Sequence, residues 1–541
     1  MPHSQPPVAS SRSRSLPAFL LFAMLFALPA RSQDVLTYHN NNFRNGFDNE
    51  ETTLTRTNVN YTTFGKLFTV PADGLVDAEP LYLSSVSISG VTHNLLIVAT
   101  ENDSVYAYDA DTGTLLWHVT TLLTGETPSD DRSCAQVEPK IGITATPVIN
   151  RPKTGDPAIY VVAMSKDTSG DYHQRLHALD ATTGAELFKG PVEIVGTYPG
   201  TGDDSSNGFV QFDPAQYKER AGLLLVDNTV YLAWASHCDV RPYTGWIMGY
   251  NASTLAQTTV LDLTPNGSRG AIWSSGGGMA ADGSGNIYLL DGNGTFDTTL
   301  NSSRFPSEGD YGNAFLRLST KGGLAVADYF EMDNEATENG DDTDLGSGAA
   351  LLLNQEDSTG KTWDLAVGAG KDTNLYVVNR TNLGKYSATA NKIYQELTGA
   401  LPGGMWSVPA ALNNNIFYGP NGSPLLKFQF TDAKLLPAPV AQTTTTFAYP
   451  GTTPSISANS GENGIVWATE NTDPAILHAY SSKTLVEIYN TTQAANGRDN
   501  FGVGNKFVTP MIANGKVYVG TTTGVAVFGL LPAAKEENSK K

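Results

Sequence analysis

Charged side chains are scarce in this chain of 541 residues. They make up 16% of the sequence, and 54 acidic residues against 34 lysines and arginines give a formal net charge of −20 at pH 7. An acidic surface repels the phosphates of nucleic acids and of anionic lipids. We therefore expect no nucleic acid among the partners of this protein.

Long hydrophobic runs are also missing. No segment contains the ~18 consecutive apolar residues that a membrane-spanning helix requires. One shorter apolar run, residues 16–28, follows a segment rich in serine and arginine and precedes the small residues Ala30 and Ser32. This order is typical of a signal peptide. We predict that residues 1–32 are a signal peptide and that the remaining chain is exported, to the periplasm or the extracellular space, without spanning a membrane.

The chain has only two cysteines, Cys134 and Cys238, and several catalytic motifs are absent. There is no Cys-x-x-Cys-His sequence for covalent haem, no Gly-x-Ser-x-Gly nucleophile elbow and no glycine-rich phosphate loop. In an oxidising compartment the two thiols can pair and close a loop of about 100 residues, which contributes roughly 4 to 5 kcal/mol in the chain-entropy treatment. They can equally remain separate buried thiols, and the sequence leaves both states open.

What the chain does contain is one recurring phrase. A short apolar strand ends in a small hydrophobic pair and is followed by Asp or Asn and a turn, most clearly at Asp109, Asp180 and Asn251. Weaker copies end at Ser319, Asn379, Thr431 and Ser481, and a truncated copy ends at Gly529. The copies lie about 50 to 70 residues apart, which is typical of four-stranded propeller blades with loop insertions.

The repeat predicts an all-β fold: an eight-bladed β-propeller of four-stranded antiparallel blades over residues 33–531. The last copy lacks a fourth strand, and residues 64–70 form a strand without a blade of its own, so we expect this N-terminal strand to complete the last blade and close the ring. The predicted blades lie near 79–118, 144–190, 222–263, 277–329, 347–386, 405–437, 454–489 and 508–530. In four of them the predicted first strand contains a proline, at 145–149, 407–410, 453–456 and 508–512. The charged residues 532–541 are predicted to be a disordered tail.

The repeated phrase also resembles a known family. Residues 107–117, Ala-Tyr-Asp-Ala-Asp-Thr-Gly-Thr-Leu-Leu-Trp, resemble the repeat of the pyrroloquinoline quinone (PQQ) propellers, and residues 38–68 are similar to the entry segment of the quinoprotein alcohol dehydrogenases. The resemblance spans almost the whole mature chain and implies the propeller fold. Because the family includes non-catalytic members such as the outer-membrane assembly lipoprotein, it does not by itself imply catalysis.

The same resemblance implies residues for a cofactor site. Asn293 matches an asparagine whose side-chain oxygen binds calcium beside the quinone, and an oxygen donor suits that cation. Lys371 matches a basic residue at the quinone oxygens, where positive charge stabilises the reduced cofactor. Trp273 and Trp406 match aromatic residues that pack against the cofactor ring. Asn293 and the two tryptophans also have plainer interpretations. Asn293 suits an ordinary turn, and the tryptophans suit packing around the channel.

Three departures from the family weaken the expected catalytic site. Where the family has adjacent cysteines over the quinone, this chain has only Cys134. Near the position of the family's catalytic aspartate it has Asn339, which cannot accept a proton as a general base. A second calcium-binding carboxylate falls only near Asp171, in a shortened segment.

An acidic loop follows Asn339. Asp341, Asp342 and Asp344 lie in it, and we interpret them first as solvated residues and second as replacements for the missing base. The sequence therefore favours a secreted binding or scaffold protein with a degenerate quinone site, whose partner is an unknown protein or carbohydrate. The alternative is a divergent PQQ- and calcium-dependent dehydrogenase that acts on an alcohol or a sugar.

Overall fold

The computed structural model describes residues 1–3 and 33–532. Residues 4–32 of the predicted signal peptide and residues 533–541 of the predicted C-terminal tail lie outside the described residues. In the part of the chain that is described, no helix combines the length and the apolar character needed to cross a bilayer.

The regular secondary structure of residues 33–532 is almost entirely antiparallel β-sheet, as the sequence predicts. They contain eight sheets of four or more strands, which we number 1 to 8, and a small three-stranded sheet in a loop. Helical segments in this range are limited to one short α-helix, Glu335–Asp341, and four 3-10 turns. The turns are Ser274–Gly276, Leu345–Ser347, Thr491–Gln493 and Ala495–Gly497.

Four strands, ordered from first to fourth, form the body of each sheet. In sheet 1 they are Leu81–Ile88, Val91–Ala99, Ser104–Asp109 and Leu115–Thr120; in sheet 2, Val148–Asn150, Ala158–Lys166, Tyr172–Asp180 and Val192–Glu193. In sheet 3 they are Leu224–Val226, Thr229–Ser236, Trp246–Asn251 and Gln257–Asp262; in sheet 4, Ala280–Ala281, Asn286–Leu290, Phe315–Ser319 and Ala325–Phe330.

The second half of the chain repeats this order. In sheet 5 the strands are Leu351–Glu356, Thr362–Gly368, Leu375–Asn379 and Gln395–Leu397; in sheet 6, Ala410–Leu412, Asn415–Tyr418, Ser423–Thr431 and Ala441–Phe447. In sheet 7 they are Ser455–Asn459, Glu462–Glu470, Ile476–Ser481 and Glu487–Asn490; in sheet 8, Met511–Ala513, Lys516–Thr521, Gly524–Leu530 and Phe64–Pro71.

Short additional strands lie at the edges of this framework. Thr127–Asp130 and Lys140–Ile141 extend sheet 2, Tyr217–Glu219 extends sheet 3, Lys434–Leu435 extends sheet 6, and Phe47–Asp48 pairs in parallel with sheet 7. The three-stranded sheet consists of Thr197–Pro199, Ser205–Ser206 and Phe209–Gln211.

Sheet 8 takes its fourth strand from the opposite end of the chain. Phe64 lies opposite Leu530 and Pro71 lies opposite Gly524 in an antiparallel pair. This is the pairing that the sequence predicts for residues 64–70. It joins residues more than four hundred positions apart into one sheet.

The turns of the repeated phrase follow from their residue types. The Asp109 carboxylate accepts a hydrogen bond from the backbone N–H of Thr112, at 2.9 Å, while Gly113 adopts φ +73°. Asp180 accepts from the N–H of Thr182 at 2.7 Å in the next sheet. A side chain that caps its own turn, followed by a glycine in the left-handed region, closes a tight hairpin.

One detail of the prediction is corrected. In sheets 2, 6, 7 and 8 the first strand begins at the residue after the proline rather than including it. Proline has no N–H to donate to the neighbouring strand, so it ends the preceding loop instead of entering the ladder.

The hydrophobic core lies between successive sheets. Sheets 8, 1 and 2 share one cluster, which contains Tyr518, Val98 and Ile159. Sheets 7 and 8 share another through Trp467 and Phe528. Each neighbouring pair between sheets 2 and 7 shares a cluster of the same kind. The first sheet therefore packs against the last as well as against the second.

Candidate functional site

A cavity of about 300 Å³ lies where loops of sheets 2, 3, 4, 5, 6 and 8 converge. Trp273, Lys371 and Trp406, three of the residues predicted from the sequence, line it. Asn293 lies directly behind the wall, where its backbone N–H donates to the carboxylate of Asp344, another lining residue, at 2.6 Å. The volume is at the lower end of the range of small-molecule sites.

Polar residues of the site occupy one position of the repeat. Asp239, Asn293 and Lys371 each lie three residues beyond the end of the second strand, in sheets 3, 4 and 5. Because the repeats have the same strand order, this position brings residues distant in sequence to the same side of the fold.

A second set of lining residues precedes the first strands. Arg220, Ser347, Trp406 and Phe507 each lie four residues before the first strand, in sheets 3, 5, 6 and 8. Sequence reasoning missed Arg220, Phe507 and Asp239. The position before the first strand could have found Arg220 and Phe507, and the position after the second strand could have found Asp239.

Lys371 is held between two carboxylates. Its Nζ lies 2.5 Å from Oδ2 of Asp344 and 3.0 Å from Oδ2 of Asp342. Burial raises the pKa of the Asp344 carboxyl, although Lys371 opposes the rise. Burial alone would lower the pKa of Lys371, but the two carboxylates outweigh it and the pKa is raised. Lys371 therefore remains a cation at neutral pH.

Asn293 presents a free acceptor. Its Nδ2 donates to Oδ1 of Asp342 at 3.0 Å, whereas its buried Oδ1 has no hydrogen-bond partner among the described residues. The preceding Gly292 is packed against Trp273, where a Cβ would lie 2.6 Å from Cδ1 of the indole. Only glycine fits this approach, so the Asp-Gly-Asn-Gly sequence does more than turn the chain.

Aromatic rings form much of the wall. The ring centroid of Tyr449 lies 5.7 Å from that of Trp406 and 6.4 Å from that of Phe507, both in edge-to-face arrangements. Trp273 is buried and Trp406 is half-buried. Such rings give a cavity flat apolar surfaces.

Arg220 is the unusual residue of the site. It lines the cavity and is 4% exposed, yet its side chain forms no hydrogen bond or ion pair with any residue that the structure describes. Its guanidinium carbon lies 4.6 Å from the centroid of the Phe507 ring. Burial lowers the pKa of Arg220, but a guanidinium keeps its proton, so its donors remain available to a ligand.

The two cysteines form a disulfide, with a Sγ–Sγ distance of 2.09 Å. Cys238 lines the cavity, and so does Gln136, two residues after Cys134. The sequence left this pairing open. A disulfide therefore adjoins the cavity in this chain, although its cysteines are not adjacent in sequence.

Two residues singled out in the sequence lie elsewhere. Asp171 is exposed in the turn between the long second and third strands of sheet 2, where its N–H donates to Asp167 at 3.0 Å, and it does not line the cavity. Those strands pair as far as Lys166 and carry the turn away from the position that Asn293 occupies in sheet 4. Asn339 also points away, since its amide bonds the backbone N–H and carbonyl of Gly294 at 2.7 and 2.8 Å.

The interpretation of the acidic loop after Asn339 as a run of solvated residues changes in part. Asp344 is not solvated: its side chain is 9% exposed and bound to Lys371. Asp342 is 66% exposed but reaches the same lysine. Both line the cavity, while Asp341 is not among its lining residues.

Comparison with protein families finds the PQQ-repeat model described as outer membrane protein assembly factor BamB, which matches residues 83–189. Comparison with curated protein sequences gives no match.

Solved structures resemble the chain over most of its length. The quinohemoprotein alcohol dehydrogenase of Comamonas testosteroni is 14% identical, with a TM-score of 0.59 over 92% of this chain and 80% of that one. The enzyme ADHIIG of Pseudomonas putida HK5 is 13% identical, with a TM-score of 0.61 over 93% and 81%. A europium-containing methanol dehydrogenase is 13% identical, with a TM-score of 0.59 over 92% and 98%. At these identities the likeness concerns the fold alone. The chain thus carries the repeat of the PQQ-repeat family in residues 83–189 and has the β-propeller fold of the PQQ-repeat dehydrogenases.

Proposed function

We propose that the eight sheets are the blades of a closed eight-bladed propeller spanning residues 33–531. The pairing of Phe64–Pro71 with Gly524–Leu530 and the core shared by sheets 8 and 1 support it. Closure in this way pairs the strand Gly524–Leu530, which an open ring would leave as a free edge. The loops before the first strands and after the second strands then meet around one cavity.

We infer that the protein binds a planar, polycyclic carboxylate of the PQQ type in this cavity. The observation that carries the inference is the unpartnered guanidinium of Arg220, which shares aromatic walls with the ion-paired Lys371. A buried cation without a partner is costly, and an anionic ligand removes that cost.

The described residues fit such a ligand in complementary ways. The indoles of Trp273 and Trp406 offer flat surfaces to a polycyclic ring. Arg220 offers a planar fork of donors to a carboxylate, and Lys371 offers an ammonium to a carbonyl oxygen. Asn293 Oδ1 is an acceptor behind the wall. A bound quinone would supply two-electron redox chemistry.

Calcium fits these residues less well. Within residues 33–532, no three His, Cys, Asp or Glu side chains are grouped so as to hold a metal ion. The carboxylates nearest Asn293 already contact Lys371, whereas a hard cation needs several free oxygen ligands. Lys371 supplies the positive charge at this position instead.

Asp344 favours a second candidate function, the oxidation of an alcohol or a sugar. Its carboxylate lies in the cavity wall, and burial raises its pKa, which makes it a stronger base than an exposed aspartate. In this role it accepts the hydroxyl proton of the substrate while Lys371 holds it in position. An adjoining cavity of about 200 Å³, which shares Gln136 and Phe507 with the first, offers polar space for the substrate.

We further propose that the chain is exported, because residues 1–32 have the order of a signal peptide. A scaffold role for a protein or carbohydrate partner becomes secondary. Trp273, Lys371 and Trp406, which the resemblance matches to a quinone site, line one cavity, and Asn293 lies directly behind its wall.

Reconstitution of residues 33–541 with PQQ tests both functions, with dye reduction measured on primary alcohols and aldoses. Saturable binding with substrate-dependent dye reduction supports both. Saturable binding without turnover supports the binding function and rejects the dehydrogenase. Absence of binding, with the protein folded by circular dichroism, rejects both.

A further inference from the structure

The two sulfur atoms of the disulfide lie in different surroundings. Cys134 is 2% exposed, whereas Cys238 is exposed at the wall of the cavity. A thiol from solution can therefore reach Sγ of Cys238, and protein atoms cover Sγ of Cys134.

A buried lysine lies against the buried sulfur. Nζ of Lys218 is 3.8 Å from Sγ of Cys134. This sulfur is the one hydrogen-bond partner of Nζ among the described residues, and Lys218 is 0% exposed. Burial, and next Arg220, lower the pKa of Lys218 to about 7. A disulfide sulfur is a weak acceptor. The ammonium therefore lacks a strong partner until this sulfur becomes a thiolate.

The surroundings of Cys238 are different. Its neighbour His237 is 4% exposed, and neither ring nitrogen has a hydrogen-bond partner in the described part of the chain. Burial lowers the pKa of His237 to about 3, so its imidazole is neutral at physiological pH. A thiolate on Cys238 would gain no positive charge from this neighbour.

We propose that Cys238 is a site of thiol exchange, at which an external thiol forms a mixed disulfide while Cys134 leaves as a thiolate beside Lys218. The attacking thiolate forms a bond to Sγ of Cys238, the Sγ–Sγ bond breaks, and its electron pair stays on Cys134. A second equivalent of thiol then attacks the mixed disulfide. The thiols are oxidised to their disulfide and the two protein cysteines are reduced.

The exposure of Cys238 and the stability of the Cys134 thiolate both favour attack at Cys238 with Cys134 as the leaving group. Exchange depends on which sulfur can be attacked, and a leaving thiol of lower pKa departs faster. A neighbouring lysine lowers the pKa of a thiol. This inference concerns the disulfide and Lys218 alone, so it does not depend on the ligand proposed for the cavity.

The direction of exchange is tested on the folded chain with glutathione. After quenching with iodoacetamide, peptide mass mapping is expected to find glutathione on Cys238 and the alkyl group on Cys134. The preference should disappear in urea, where both sulfurs are exposed. Glutathione on Cys134, or an equal distribution in the folded chain, would overturn the proposal.

The role of Lys218 is tested by the rate. Lys218→Gln should slow exchange roughly fivefold or more, because the leaving thiolate loses its neighbouring cation. Lys218→Arg should keep most of the rate, and Lys321→Gln, at an exposed lysine, should leave it unchanged. An unaltered rate in Lys218→Gln contradicts the role of the lysine. If that variant does not fold, the glutathione position in the wild-type chain still decides the proposal.

Discussion

Lys371 and Arg220 are two cations of one cavity with opposite surroundings. Asp344 and Asp342 balance the charge of Lys371, while Arg220 has an aromatic ring beside it and no carboxylate bound to it among the described residues. An anionic ligand therefore gains most binding free energy from its contact with Arg220. At Lys371 it competes with carboxylates that are already there.

Substitutions of Lys371 and of its partner Asp344 should have different effects on PQQ affinity. Lys371→Met removes a charge-assisted contact, and the affinity should fall about tenfold to a hundredfold. Asp344→Asn removes a competing anion from the same ammonium, so the affinity should rise or stay unchanged. Quenching of tryptophan fluorescence measures both. A loss of affinity in both variants at unchanged stability would mean that the pair serves structure and not ligand charge.

Arg220→Gln should weaken PQQ binding by at least about tenfold, because the fork of donors for a carboxylate is lost. Arg220→Lys should recover only part of the affinity, since an ammonium cannot make the paired contact. The matched control is Lys321→Gln. A trimethyl ester of PQQ should bind the wild type and Arg220→Gln equally, and a tenfold difference between them would contradict a carboxylate contact.

The sequence predicted some of these residues and not others for physical reasons. Lys371 and Trp406 follow motifs that resemble a known family, so they could be matched directly. Arg220 has no such motif, and its importance comes from burial without a partner, which appears only in three dimensions. Asp171 lies away from the cavity because strand length in sheet 2 decides where its turn lies.

At the level of single sheets, His478 is the clearest electrostatic element. It lies in the third strand of sheet 7, its side chain is 4% exposed, and its ring nitrogens lie 2.8 Å from Glu470 and 2.6 Å from Glu487. Burial alone would lower the pKa of His478, but the two carboxylates raise it above its ordinary value. Tyr480, whose ring stacks on the imidazole, is the other titratable group beside it.

The stability that His478 contributes should depend on pH. Because its pKa is raised in the folded state, the contribution is complete below the unfolded pKa near 6.5 and is lost as pH rises through the folded pKa. Thermal unfolding of the wild type and of His478→Gln measures this contribution. The wild type should lose its advantage over the variant as pH rises, and a difference that does not vary with pH would refute the charge interaction.

Strands and turns were more predictable than the site. Asp109 and Gly113 determine their hairpin through local contacts, and the repeat supplies the same evidence many times. Strand ends were less predictable, as the prolines before the first strands illustrate. The cavity depends on loops, whose paths are set by contacts between sheets and not by local sequence.

For the whole molecule, the N-terminal strand should be essential to folding. A chain that begins at residue 72 lacks Phe64–Pro71, so it exposes the edge of Gly524–Leu530 and the buried ring of Phe528. We expect it to aggregate, because an unpaired apolar edge strand recruits other chains. Adding residues 33–71 as a separate peptide should restore a monomer in size-exclusion chromatography. A truncated chain that is monomeric and unfolds at the same temperature as the wild type would contradict a ring closed by this strand.

We propose above that the cavity beside Arg220 and Lys371 binds a planar polycarboxylate. Isothermal titration of residues 33–541 with PQQ tests it most directly, without requiring turnover. We expect one saturable site per chain with a Kd on the order of micromolar or tighter, weakened by Arg220→Gln and Lys371→Met. A folded wild-type protein that shows no saturable heat and no rise in unfolding temperature at about 1 mM PQQ would contradict it.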